Sequence, residues 1–222
     1  MIVIENLIKE IKFQEPLKID LIEFKQGYIY SILGHNGSGK STLTKIIYNI
    51  TDFDEGSINI NDEGFSEEII HKYIAYNPQR AMFLSGTLRE NLDYVYQNSK
   101  SENLLDKDKL IKLIKDFKLE DRLDTNIRKL SGGEQAKAQF IRTLILNKDF
   151  NIFDEPMANM DFKTIKQVEK KLIELKEKGK TVILITHDFM QAKRISDFIV
   201  FMENLNLIGT YENKKFFEKY IL

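Results

Sequence analysis

The stretch Gly34–Ser41, GHNGSGKS, constrains the fold more than any other part of the chain. It matches the pattern G-x-x-x-x-G-K-[ST] and stands in the setting that such a loop requires. The apolar run Tyr28–Leu33 reads as a buried strand entering it, and a helix-like stretch from about Lys40 to Tyr48 leaves it. Glycines let successive backbone N–H groups converge on a phosphate with no Cβ in the way, and the helix start adds the positive end of its dipole. Gly34, His35, Asn36, Gly37, Ser38, Gly39, Lys40, Ser41 and Thr42 are therefore the candidate phosphate-binding residues. Lys40 is expected to bridge the β- and γ-phosphates of a nucleotide, with the Ser41 hydroxyl on Mg²⁺.

A strand–loop–helix unit of this kind belongs to α/β folds, and the rest of the sequence agrees. Phe150–Phe153, Thr181–Thr186 and Phe198–Met202 are short, apolar or β-branched runs of the kind found in buried parallel strands. Helical patterns alternate with them, which indicates a parallel sheet. Near the N-terminus, Ile2–Ile4 and Leu17–Ile22, separated by Pro16, suggest paired edge strands, and Ile58–Ile60 and Tyr73–Asn77 are further strand candidates. From Thr87 to about Leu123 the period becomes helical, with Leu110, Leu113, Ile114 and Phe117 at i, i+3, i+4, i+7. The expected fold is an α/β P-loop NTPase core with a mostly parallel sheet, an N-terminal antiparallel β subdomain and an inserted α-helical subdomain. Residues 1–222 form one domain, with 1–78 and 140–222 as the core and 79–139 as the helical insertion.

Composition limits the partners. With 33 Lys+Arg against 34 Asp+Glu, the formal net charge of −1 gives no global pull toward nucleic acid or anionic lipid, so no nucleic-acid partner is expected. The chain has no cysteine, which excludes disulfides and thiolate metal sites and fits a reducing compartment. A membrane-spanning helix needs about 20 consecutive apolar residues, and the apolar runs here are far shorter. The N-terminus carries Glu5, Lys9 and Glu10 where a secretory signal would need an apolar stretch, so the reading is cytosolic.

A nucleotide-cleaving site also needs a carboxylate for the metal and a group that activates water. Asp154 and Glu155 follow the run Phe150–Phe153, at the strand end where ligands collect in open α/β sheets. Asp154 is assigned to Mg²⁺ through its water shell and Glu155 to the general base. Leu130-Ser131-Gly132-Gly133-Glu134 carries two meanings. Ser131 and Glu134 form an S-x-x-E capping box that starts a helix, yet a cap requires no pair of glycines.

That segment resembles LSGGQ, the signature of the ABC ATPase family, with Glu134 in place of Gln. The resemblance covers nearly the whole chain and rests on motifs in order. These are the phosphate loop, Gln79 in YNPQR, the signature, Asp154-Glu155 in FDEP, Asp161 closing ANMD, and His187 in ITHD. It implies ATP as ligand and a head-to-tail dimer, either a homodimer or a pair with another ABC domain. In that dimer Ser131, Gly132 and Gly133 of one subunit face the phosphate loop of the other. It further implies that His187 bonds the γ-phosphate, that Gln79 touches Mg²⁺, and that Asp161 lines the dimer seam. Phe13 is either the ring on which adenine stacks or a core residue. ANMD for the commoner SALD, and Lys137 for Arg, are mild departures that leave hydrolysis in place.

By the same resemblance the chain is an ATP-hydrolysing subunit or domain of a transporter, peripheral on the cytoplasmic face through a transmembrane partner. The alternative is a soluble ABC-type ATPase of translation or DNA repair, whose long coiled coil or second ATPase unit is missing from this sequence. FLSGTLREN, Phe83–Asn91, is similar to a segment of exporter-type domains and tilts the expected direction toward export, while the short DTNIRK before the signature argues against it.

Overall fold

A computed structural model describes residues 1–99 and 103–220. In chain order the elements are β1 (Ile2–Lys9), β2 (Leu17–Phe24), β3 (Ile29–Leu33), α1 (Lys40–Ile47), β4 (Glu55–Ile60), α2 (Glu67–Tyr73), β5 (Ile74–Asn77), α3 (Leu88–Asn98), α4 (Lys107–Asp116), α5 (Gly132–Ile145), β6 (Phe150–Asp154), α6 (Phe162–Glu177), β7 (Thr181–Ile185), α7 (Phe189–Ile195), β8 (Phe198–Glu203), β9 (Asn206–Glu212) and α8 (Asn213–Tyr220). Among the described residues nine strands form one sheet in the order β4-β1-β2-β9-β8-β3-β7-β6-β5.

Two kinds of pairing meet in that sheet. The run β8-β3-β7-β6-β5 is parallel throughout, while β1 pairs antiparallel with β2 and β4, and β8 with β9. The expected antiparallel N-terminal part is present and continuous with the parallel core, since β2 meets β9 at Lys18↔Asn206.

Every residue of β3, β6 and β7 is buried, because helices cover both faces of the parallel part. Strand alternation sends Ile32, Ile152, Ile183 and Ile185 into one core with Leu43, Ile46 and Ile47 of α1. Phe153 and Leu184 point the other way, into a core with Leu88 and Leu92 of α3, Phe140 and Ile141 of α5, and Val168 and Leu172 of α6. The helical pattern over 87–123 divides into α3 and α4. Thr87 caps α3 through a capping box with Glu90 and Asp106 caps α4, each ending the preceding loop with a side-chain acceptor. On α4, Leu110, Leu113 and Ile114 are buried while the lysines are exposed, as the amphipathic reading requires.

Parallel strands share a direction, so β3, β5, β6 and β7 all end at one edge of the sheet. Gly34 follows β3, Pro78 and Gln79 follow β5, Asp154 and Glu155 close β6, and Thr186 and His187 follow β7.

Candidate functional site

The turn out of β3 is built from backbone that only glycine adopts freely. Gly34 has φ 154°, and a Cβ there would lie 2.1 Å from the Met202 carbonyl oxygen. Gly39, φ 98°, stands immediately before α1 where a Cβ would press on Leu17. Lys40 is buried, and its Nζ donates to the carbonyls of Gly34 at 2.9 Å and His35 at 2.8 Å. Burial pushes its pKa down, and the charges of Glu155 and Asp154 oppose that shift.

One helical residue later, the Ser41 hydroxyl donates to Asp154 Oδ1 at 3.2 Å, joining α1 to the end of β6. Asp154 is almost fully buried, and its carboxyl pKa is raised by burial first, with the Ser41 hydrogen bond acting against it. Glu155 leaves the strand at φ 47°, a left-handed conformation that costs a non-glycine residue about 1–3 kcal/mol. Its own N–H donates to Ile185 O of β7 at 3.1 Å, which anchors the strained residue to the sheet. Its carboxylate is bridged on both sides. Gln79 Nε2 donates to Oε2 at 3.0 Å, and His187 Nδ1 lies 3.5 Å from Oε1.

These groups border an open cleft of about 420 Å³, lined by Asn36, Lys40, Ser41, Gln79 and Glu155 among others. The connection from β1 to β2 contributes Ile11 and Gln14 to its lining. Phe13, between them, is 93% exposed, which removes the core alternative for this ring. Lys12 Nζ stands 5.1 Å from the ring centroid. Ser131, Gly132 and Gly133 are elsewhere and do not line the cleft. Ser131 caps α5, accepting from Glu134 N at 3.3 Å while Glu134 Oε2 accepts from Ser131 N at 2.8 Å, so the capping box is formed. Arg122 Nε also donates to Glu134 and holds its carboxyl down at about 2, with the bond from Ser131 as the next cause. Gly133 stands where a Cβ would come within 2.9 Å of Asn159 O. Asp161 caps α6 with both carboxylate oxygens, accepting from Thr164 N and Oγ1 at 2.9 Å each.

Sequence reasoning therefore names the groups that meet at the sheet edge, and it misses others. Ile11 and Gln14 lie in a short irregular connection that carries no pattern. The Tyr76 hydroxyl, behind Asp154, is buried without a hydrogen-bond partner among the described residues. Burial and then the charge of Asp154 push its pKa well up. Its place in YNPQR, three residues before Gln79, was the available signal.

The chain matches the family model for the ABC transporter over residues 17–158. It is 29% identical to the ATP-binding protein of a tungstate uptake system from Peptoclostridium acidaminophilum, over 91% of this chain and 94% of that one. It is 31% identical to a probable sulfate/thiosulfate import ATP-binding protein from Chlorella vulgaris, over 93% and 89%. Among solved structures, a dimeric ATP-binding cassette in a post-hydrolysis state bound to ADP and Pi superposes with a TM-score of 0.83 at 25% identity, covering 96% of this chain and 99% of that one. With the phosphate loop, the acidic strand end and the signature segment all within that frame, the chain belongs to the ABC transporter family, as one of its ATP-binding, ATP-hydrolysing subunits.

Proposed function

We propose that two ABC subunits, two copies of this chain or this chain and another, close head to tail over two ATP molecules, and that the closure drives a transmembrane partner. The observation that carries this reading is the incomplete cleft. Lys40, Ser41, Gln79 and Glu155 line it, Asp154 stands behind Ser41 and His187 beside Glu155, while Ser131–Gly133 start a helix outside it. A second subunit's Ser131–Gly133 would supply the missing wall, with a hydroxyl and backbone N–H groups at a helix start.

Within each site Lys40 exchanges its two carbonyl partners for phosphate oxygens, helped by the N–H groups of Gly34–Thr42. Phe13 is exposed beside the cleft mouth, where its ring is free to stack on the base. Water attacks the γ-phosphorus and the bond to ADP breaks. Glu155 takes the proton of the water, and His187 holds the departing phosphate. Gln79 lets go of Glu155 as the site fills, and Asp161 meets the partner at the seam. The donors fit Mg²⁺: the Ser41 hydroxyl, the Asp154 carboxylate hydrogen-bonded to it and the Gln79 amide oxygen are hard oxygen ligands. A small hard cation that keeps its waters and takes phosphate oxygens suits such a set. Held by Ser41, Gln79 and Asp154, such a cation would supply positive charge against the phosphate oxygens.

The partner contact is assigned to α3 and the segment before it, where Leu84, Glu90, Asp93 and Tyr94 line a groove of about 280 Å³. Among the described residues no helix is long and apolar enough to cross a membrane; the relatives' names, ATP-binding proteins of uptake and import systems, support a peripheral place on the cytoplasmic face through that partner. The net charge of −1 supports no role for nucleic acid. The export lean taken from Phe83–Asn91 gains nothing from relatives whose names speak of uptake and import. Direction is a property of the partner's pathway. Replacement Glu155→Gln tests the chemistry: turnover should fall by about 10²–10⁴-fold, the usual worth of a general base, with ATP binding kept. Unchanged turnover would remove Glu155 from the role.

A further inference from the structure

The unpaired hydroxyl behind the site has a stereochemical address. Tyr76 on β5 pairs with Ile152 on β6 in parallel register. Side chains alternate along a strand, so Asp154, two residues beyond Ile152, shares the face that Tyr76 uses. Helix α1 covers that face. Ser41, Thr44 and Tyr48 recur along it at i, i+3 and i+7, the spacing of one helical stripe. Ser41 takes Asp154 Oδ1 at 3.2 Å. Tyr48 stacks on the Tyr76 ring, with centroids 5.2 Å apart and planes 26° off parallel. The Tyr76 hydroxyl is buried with Thr44 and Asp154 beside it. The Thr44 hydroxyl already donates to Ser41 O at 3.3 Å, and Ser41 serves Asp154 at Oδ1.

Burying a hydroxyl without a partner is unfavourable, and phenylalanine would fill the same space without that cost. A tyrosine at this position needs a use for its oxygen. We propose that Tyr76 is a positioning residue: its hydroxyl donates to Asp154 Oδ2, directly or through one buried water, and fixes the carboxylate with both oxygens aimed for the cation that arrives with ATP. Ser41 and Tyr76 then hold Asp154 from α1 and from β5, and the carboxylate loses the freedom to turn away. The inference rests on the reading of Asp154 as the cation-holding carboxylate.

Calorimetric titration with a nonhydrolysable ATP analogue, in excess EDTA and then in excess Mg²⁺, gives the factor by which the cation tightens nucleotide binding. For Tyr76→Phe the affinity in EDTA should match that of the native chain, while the Mg²⁺-dependent gain shrinks about tenfold, the scale of losing an outer partner of a metal ligand. Melting without nucleotide should fall modestly, since the buried carboxylate loses one of its donors. Asp154→Asn is the reference. If Asp154→Asn loses the gain and Tyr76→Phe keeps it in full, Tyr76 does not position Asp154 and the inference is overturned alone. If both variants keep the gain, the assignment of Asp154 to the cation fails and the inference falls with it. A packing role for Tyr76 would leave the ratio of the two affinities untouched, so the ratio, and not the melting temperature, decides.

Discussion

Lys40 shows how much of the chemistry is prepared before nucleotide arrives. Its ammonium is buried and satisfied by two carbonyls of its own loop, with acidic side chains at a distance. Such a group is partly desolvated already, so exchanging carbonyl for phosphate oxygen costs less than stripping an exposed lysine of water. Lys40→Ala should weaken ATP binding by about 10–100-fold, the worth of a hydrogen bond to a charged group, with the loss measured by equilibrium titration. An unchanged dissociation constant would show that the lysine does not meet the phosphates. Glu155 is prepared differently. Its left-handed backbone is anchored through Ile185 O, and Gln79 and His187 occupy its carboxylate. The proposed base is therefore occupied until the site rearranges around a ligand.

At the scale of elements, α5 makes the clearest demands. Its first residues join a capping box to an ion pair, since Glu134 serves Ser131 and Arg122 together. The Glu134 carboxyl is depressed to about 2 in the folded chain, so its contribution is fully present above the ordinary carboxylate range and is lost only as pH falls through about 2. Arg122→Ala should move that titration up toward the ordinary range, read by NMR of the side-chain carbon; a titration that stays near 2 would assign the whole shift to the cap. Gly133 tests the other contact of this helix start. Because a Cβ would meet Asn159 O, Gly133→Ala should force the segment between β6 and α6 away from α5 and lower the melting temperature by about 2–4 °C, the shift that 1 kcal/mol makes in a chain of this size. An unchanged melting temperature would mean the two segments part freely. The same scale shows what sequence can reveal. The elements β3, β6 and β7 are legible because each is a short, mostly apolar run, and α1 because it leaves the glycine loop that opens at Gly34. Strand β9 is not, because none of its residues is fully buried and its pattern has no apolar stripe. Helix α2 buries only Ile70, and α7 has seven residues, too short for a period to emerge. Ile11 and Gln14 reach the cleft through the path of the chain, which no local pattern records.

For the whole molecule, the parallel half of the sheet gathers the ends of β3, β5, β6 and β7 at one edge, and the helical layer carries the start of α5 away from the cleft they form. On the proposed pairing a single chain bears two half-sites that do not meet each other, nucleotide is the bond between two subunits, and its hydrolysis is the release that a membrane partner would feel. Multi-angle light scattering on Glu155→Gln, with and without Mg-ATP, tests this most directly. Twice the chain mass is expected with Mg-ATP and the single-chain mass without it, the doubling abolished by Ser131→Arg. A protein that remains at single-chain mass with ATP bound, while the native chain hydrolyses ATP as a monomer, would contradict the proposed pairing.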